Sequence, residues 1–134
     1  MAKLSVIEGI GQAYEEKLKE VGVNSIEKLL EACESKKGRK ELAGKVDLSE
    51  KLILKWTNHA DLMRIKGVGG EYAELLEASG VDTVPELAQR NPKNLYKKMV
   101  EVNEDKKLVR KLPTEKQVQY WVKEADSLPR VLNY

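Results

Sequence analysis

Residues 65–69 read Ile65-Lys66-Gly67-Val68-Gly69, and residues 7–11 read Ile7-Glu8-Gly9-Ile10-Gly11. The two stretches coincide when the sequence is shifted by 58 positions. The match then continues without a gap through Tyr14 and Tyr72, Leu18 and Leu76, Gly22 and Gly80, Val23 and Val81, Ile26 and Val84, and Leu29 and Leu87. Further on, a shift of 65 places Trp56 on Trp121, so the second copy carries seven extra residues. We therefore interpret the chain as one domain of residues 1–134 that contains two repeats, about 4–63 and 64–130.

Composition limits the protein class. The 134 residues are 41% hydrophobic and 34% charged, as in a folded globular chain. The longest aliphatic run, Leu52-Ile53-Leu54, is far shorter than a membrane span, and residues 1–8 do not resemble a secretory signal. We expect a cytoplasmic protein without membrane association. With one cysteine, Cys33, and one histidine, His59, which we expect at a surface or boundary position, we predict no disulfide, no metal site and no cofactor.

Apolar residues recur at spacings of three and four throughout both repeats, which predicts an all-α fold. No alternating pattern indicates a strand. The predicted helices cover about residues 12–21, 25–35, 39–45, 49–63, 70–79, 83–90, 92–102 and 114–127.

Helix-end signals support these boundaries. Gly22 and Gly80 stand where a left-handed residue ends a helix. Thr83 with Glu86, and Thr114 with Gln117, have the spacing of a capping box, and Asn91 before Pro92 predicts another helix start.

The arrangement of the repeats predicts that the last helix of the chain packs on the first repeat. The helix at 49–63 leads into the second glycine stretch, whereas the helix at 114–127 leads into none and the first stretch lacks a long preceding helix. We therefore expect the last helix to fold back so that Trp121 packs beside Ile10, as Trp56 packs beside Val68. This packing would close a single domain with pseudo-twofold symmetry.

The glycine stretches predict a tight turn before a helix. Glycine at both flanks lets the backbone turn without a Cβ penalty, and the residue between them can fill the space between two helices. Such a turn leaves unpaired backbone N–H groups at the start of the next helix. Together with the helix dipole they favour an anion such as phosphate.

The second stretch, followed by Ala73, Leu76 and Gly80, resembles the helix-hairpin-helix motif of non-sequence-specific DNA-binding proteins. The first copy matches it except at Glu15, where that motif has a small residue. The resemblance implies two hairpins that grip the phosphate backbones of duplex DNA across the minor groove. Nearly the whole chain, including Gly38-Arg39-Lys40-Glu41-Leu42 and Val84-Pro85-Glu86-Leu87, also resembles an uncharacterised bacterial family known only as a domain of unknown function.

Charge is distributed unevenly although its sum is only +2. Two basic stretches, 35–45 and 90–111, occupy equivalent places in the repeats, and a solvated helical face is the alternative interpretation of both. The predicted nucleic-acid contacts are Arg64, Lys66, Gly67, Val68, Gly69 and Gly70 at the second turn, Gly9, Gly11, Gln12 and Lys17 at the first turn, and Lys36, Lys37, Arg39 and Lys40 in the first basic stretch.

These observations predict a monomeric, non-catalytic module that binds the phosphate backbone of DNA without sequence preference. The alternative is a protein-interaction or scaffold domain in which the hairpins only pack, and the low net charge favours it. A lyase or glycosylase would need a poised lysine or aspartate. The nearest candidates are Lys66 and Asp82, but Asp82 precedes a helix start, where capping is its ordinary role. We expect no enzyme activity and no small-molecule substrate.

Overall fold

The structure, a computed structural model, describes residues 3–134. The predicted domain begins at residue 1, which with residue 2 lies outside the described residues. Over the described part of the chain all regular structure is helical, which confirms the all-α prediction. A short 3-10 helix, Leu4–Val6, precedes α1 (Gln12–Glu20), α2 (Ile26–Ala32), α3 (Lys36–Val46), α4 (Glu50–Leu62), α5 (Gly70–Ala78), α6 (Val84–Ala88), α7 (Pro92–Lys106) and α8 (Glu115–Ser127).

Most of the predicted helix ends are confirmed by their hydrogen bonds. The Thr114 hydroxyl accepts from the Gln117 N–H at 3.0 Å, and the Gln117 side chain accepts from the Thr114 N–H at 2.8 Å, which completes a capping box. Asn91 caps α7 through its side chain. The capping box at Thr83 is wrong, because the Thr83 side chain makes no cap hydrogen bond and the Glu86 carboxylate accepts from the Asp82 N–H instead.

The chain divides into two compact units. The first covers residues up to Asp61 together with Val131–Tyr134, and the second covers Leu62–Arg130. The boundary at residues 61 and 62 falls close to the limit between the two sequence repeats. In the first unit α1 packs on the 3-10 helix and α2 on α3; in the second, α8 packs on α6 and α7 while α5 packs on α7.

The two glycine stretches have the same backbone geometry. Gly9 and Gly67 have positive φ angles of 92° and 93°, in a region that L side chains rarely adopt. The Ile10 N–H donates to the Ile7 carbonyl at 3.1 Å, and the Val68 N–H donates to the Ile65 carbonyl at the same distance. We call Ile7–Gly11 the first glycine turn and Ile65–Gly69 the second glycine turn.

The same agreement extends to the ends of the helices that follow. Gly22 and Gly80 have φ angles of 87° and 94°, and the next residue, Val23 or Val81, donates its N–H to a carbonyl five residues back at 2.9 Å. These are the bonds of a Schellman motif. The sequence match at a shift of 58 therefore reflects equal backbone conformation at the two glycine turns and at the ends of the two helices that follow them.

The predicted packing of Trp121 beside Ile10 and of Trp56 beside Val68 is wrong. Trp56 packs against Tyr14 with the two rings tilted and their centroids 5.2 Å apart, and Trp121 packs against Tyr72 in the same way. Each indole thus covers the glycine turn of its own repeat, and both tryptophans are 1% exposed. The sequence pattern identified the apolar face that carries each tryptophan, but it could not identify the surface that this face covers.

One expected position and the absence of a membrane-spanning helix can be checked in the described residues. His59, expected at the surface or at a boundary, is fully buried in the first unit. Among the described residues, no helix has the length and apolar character needed to cross a bilayer.

Candidate anion-binding site at the second glycine turn

The second glycine turn presents backbone N–H groups at the start of α5. Gly69 is the N-cap in extended conformation (φ −96°, ψ −170°), and no side chain accepts a cap hydrogen bond there. The first intrahelical bond runs from the Ala73 N–H to the Gly69 carbonyl at 2.9 Å. The N–H groups of residues 70–72 therefore precede the helical hydrogen-bond ladder. Backbone donors and the positive end of the dipole are aimed at the same place.

A loop from the far end of the second unit is fixed beside this turn. Helix α7 ends at Lys107, whose φ of 51° reverses the chain. The Asn103 side chain then accepts from the Val109 N–H at 3.0 Å and donates to the Val109 carbonyl at 3.3 Å. The Tyr72 hydroxyl donates to the Lys111 carbonyl at 3.0 Å. Because Tyr72 belongs to the first turn of α5, its hydroxyl ties the loop to the helix start.

Turn and loop together form an open cavity of about 320 Å³. Its walls are Gly67, Gly69, Gly70, Glu71, Tyr72, Arg110 and Lys111. We call it the turn cavity. Arg110 and Lys111 bring two positive charges to the N–H groups of α5, while Glu71 brings one negative charge. All three of these charged residues are exposed, so an anion can approach them from solvent.

The first glycine turn has no such surroundings. The connection between α3 and α4 is residues 47–49, whereas that between α7 and α8 is residues 107–114, so the first repeat has no loop that corresponds to Arg110 and Lys111. Acidic side chains are prominent there instead. The Glu15 carboxylate accepts from the Ser5 N–H at 3.2 Å and pairs with Lys19 at 3.8 Å. Glu15 thus holds the short 3-10 helix, which explains why it replaces the small residue of the second copy, Ala73.

The remaining predicted residues of the first turn are exposed. Gly9, Gly11, Gln12 and Lys17 all have exposed positions, and the Gln12 side chain donates to the Glu16 carboxylate at 3.4 Å. A site that combines Gln12 with the neighbouring carboxylates favours an anion less than the turn cavity does.

Three residues predicted at the second turn do not line the turn cavity. The Arg64 guanidinium donates to the Pro129 carbonyl at 2.6 Å. Val68 is 5% exposed and its side chain belongs to the core of the second unit. Lys66 is exposed, but its backbone N–H donates to the Glu124 carboxylate at 3.4 Å. The side chains of Arg64 and Val68 are thus engaged elsewhere in the second unit, and Lys66 is a neighbouring surface charge of the turn cavity.

The basic side chains of the first basic stretch differ in their exposure to solvent. Lys36, Lys37 and Lys40 are exposed on α3. Arg39 is only 5% exposed, and its guanidinium donates to the Cys33 and Asn133 carbonyls at 3.0 and 2.9 Å. These bonds and its burial give Arg39 an internal role in the first unit.

Arg110 and Lys111 were missed as site residues. The available signal was the basic stretch 90–111 in combination with the seven additional residues of the second repeat. Sequence could not show that the insertion returns to the glycine turn, because the contacts that place it, Tyr72 to Lys111 and Asn103 to Val109, depend on tertiary packing. Within residues 3–134, no cluster of three or more histidine, cysteine, aspartate or glutamate residues could hold a metal ion.

Comparison with known proteins identifies the family. Residues 8–128 match the family described as "Domain of unknown function (DUF4332)", so the chain belongs to that family. No curated protein and no solved structure shows significant similarity to the chain.

Proposed function

We propose that this protein is a non-catalytic DNA-binding module that holds a backbone phosphate in the turn cavity, with the second glycine turn acting as a helix-hairpin-helix-type hairpin. The observation that supports this proposal is the convergence of α5's uncapped N-terminus with Arg110 and Lys111 on one open cavity. A phosphate oxygen would accept from the backbone N–H groups while the two side chains supply charge.

The charges of the cavity favour a phosphate on balance. One unit charge about 6 Å from a phosphate contributes roughly 0.7 kcal/mol at the dielectric of water and roughly 3 kcal/mol at that of a protein surface. Arg110 and Lys111 together outweigh Glu71 at either value. Phosphates carry no base identity, so contacts of this kind give binding without sequence preference.

Only the second of the two glycine turns makes the phosphate contact in this mode of binding. The first turn shares the backbone geometry of the second, but its neighbours are Glu8, Glu15 and Glu16. This acidic surface favours a second candidate function, that of a scaffold whose first turn meets a basic segment of another protein. A DNA-binding module should bind duplex DNA with an affinity that falls steeply as salt rises, whereas this scaffold should not bind duplex DNA.

Fluorescence anisotropy with a labelled DNA duplex at two salt concentrations tests the proposal. A paired glycine comparison separates binding from folding, because a Cβ at Gly69 or at Gly11 meets no atom within 4 Å and neither position has a positive φ. Gly69→Ala places a methyl group at the wall of the turn cavity, where it would hold a phosphate away from the backbone N–H groups. Binding should weaken about tenfold, which corresponds to the loss of one charge-assisted hydrogen bond between phosphate and backbone. Gly11→Ala should leave affinity unchanged, and both variants should melt as the wild type does.

A charge comparison provides an independent test. Replacing both Arg110 and Lys111 by glutamine should weaken binding about tenfold and reduce the salt slope by about 2. The control replaces Lys97 and Lys98, two exposed residues of α7 outside the cavity. Equal losses from the two pairs would refute a specific contact at the turn. Absence of duplex binding by the wild type at low salt would leave the scaffold as the better interpretation.

A further inference from the structure

A second cavity, in the first unit, lies where the first turns of α3 and α4 meet the segment Val131–Tyr134. It has a volume of about 340 Å³ and is lined by Lys36, Arg39, Glu50, Lys51, Leu54 and Tyr134. We call it the tyrosine cavity. Leu54 and the Tyr134 ring give it apolar walls, whereas the lysines are exposed. This volume lies within the range of small-ligand sites.

The Tyr134 ring is held in a fixed position although it is 59% exposed. Its hydroxyl donates to the Asn58 Oδ1 at 2.6 Å, and the Arg39 guanidinium lies 5.2 Å from its ring centroid. The backbone is secured as well, because the Asn133 N–H donates to the Glu34 carbonyl at 2.8 Å and Leu132 is 2% exposed. An exposed aromatic ring with a fixed orientation loses little entropy when a flat ligand stacks on it.

The charges around the ring favour an anionic ligand. Lys36 and Lys51 are exposed, and Glu50 opposes them with one negative charge. A flat apolar surface bordered by ammonium groups fits a nucleotide, whose base stacks on an aromatic ring while its phosphate pairs with cations. An acidic peptide would satisfy the lysines but would leave the ring without a stacking partner.

We propose that the tyrosine cavity binds one unpaired nucleotide of a DNA strand, with the base stacked on Tyr134 and its phosphate between Lys36 and Lys51. Bases within a duplex are already stacked on their neighbours, so this contact selects single-stranded or flapped segments. The site is separate from the turn cavity, and it does not depend on the phosphate contact proposed there.

Anisotropy with a fluorescein-labelled oligothymidine of about 12 nucleotides tests this site, since such a length covers typical single-strand footprints. Tyr134→Ala should weaken binding roughly tenfold, in the range observed when a stacking side chain is removed. Tyr134→Phe keeps the ring but loses the hydrogen bond to Asn58 that orients it, so it should weaken binding less than Tyr134→Ala does. Tyr120→Ala is the matched control, because Tyr120 is 52% exposed but lies outside this cavity.

Charge variants complete the test. Lys36→Gln and Lys51→Gln should each weaken oligothymidine binding a few-fold, whereas Lys45→Gln, an exposed lysine of α3 outside the cavity, should not. The Arg110 and Lys111 variants should reduce duplex binding while oligothymidine binding persists, so the two proposals fail separately.

Three results would overturn the assignment. They are no oligothymidine binding by the wild type at low salt, equal losses from Tyr134→Ala and Tyr120→Ala, or tighter Tyr134-dependent binding of a labelled oligoglutamate peptide. The last result would assign the cavity to an acidic protein segment.

Discussion

Helix α3 contains two glycines whose replacement by alanine should have opposite effects. A Cβ built on Gly38 would lie 2.2 Å from the Ala32 carbonyl oxygen, whereas a Cβ built on Gly44 would meet no atom within 4 Å. Non-bonded carbon–oxygen contacts are ordinarily about 3.3 Å or longer, so Gly38→Ala requires a displacement of roughly 1 Å. The atom in the way is backbone and cannot turn aside as a side chain could.

The magnitudes follow from helix propensity and overpacking. Alanine is favoured over glycine inside a helix by about 1 kcal/mol, and this gain applies at both positions. Overpacking in a fixed environment costs about 3 kcal/mol at the upper end of its usual range. We therefore expect Gly44→Ala to raise the free energy of unfolding by about 1 kcal/mol and Gly38→Ala to lower it by about 2 kcal/mol.

Urea denaturation followed by far-UV circular dichroism measures both values, and thermal melting provides a second estimate, since about 1 kcal/mol shifts the Tm of a chain of this size by about 3 °C. Equal stabilisation by the two substitutions would show that α2 and α3 separate without penalty. The close approach of Ala32 to Gly38 would then not be the reason for glycine at that position.

Three further perturbations test the interior and the helix ends. Arg39→Met removes the donors to the Cys33 and Asn133 carbonyls and should lower the free energy of unfolding by about 3 kcal/mol, so a loss below about 1 kcal/mol in urea would argue against an internal role for Arg39. Burial, the largest influence, raises the pKa of the Cys33 thiol against the opposing effects of Thr57 and Arg39. The native state therefore holds that proton more tightly than the unfolded state does, and its stability advantage is lost as pH rises from the ordinary thiol pKa through the raised value. At about pH 8 the native thiol should resist a disulfide reagent that labels it rapidly in urea, and fast native labelling would contradict this. Asp47→Gly relieves a φ of 55° at the end of α3 and should stabilise the protein by about 1 kcal/mol; an unchanged urea midpoint would show that Asp47 adopts this conformation without strain.

Local structure could be predicted from the sequence because its causes lie within a few residues. The positive φ of Gly67 and Gly80, the cap by Asn91 and the apolar spacing of the helices each involve neighbours in the chain. The predicted capping box at Thr83 was also a local pattern, but it was wrong because the Glu86 carboxylate accepts from the Asp82 N–H instead. A local pattern offers several nearby donors, and geometry selects among them.

The sequence by itself determined an all-helical chain with two glycine turns of equal conformation, because backbone sterics and short-range hydrogen bonds fix both. Only the tertiary structure decided which turn each tryptophan covers, that Arg39 lies inside and that Arg110 and Lys111 reach the second turn. Helical periodicity shows which residues share an apolar face but does not show what that face packs against. The chemistry of the candidate site therefore depends on contacts between residues far apart in sequence, which packing alone brings together.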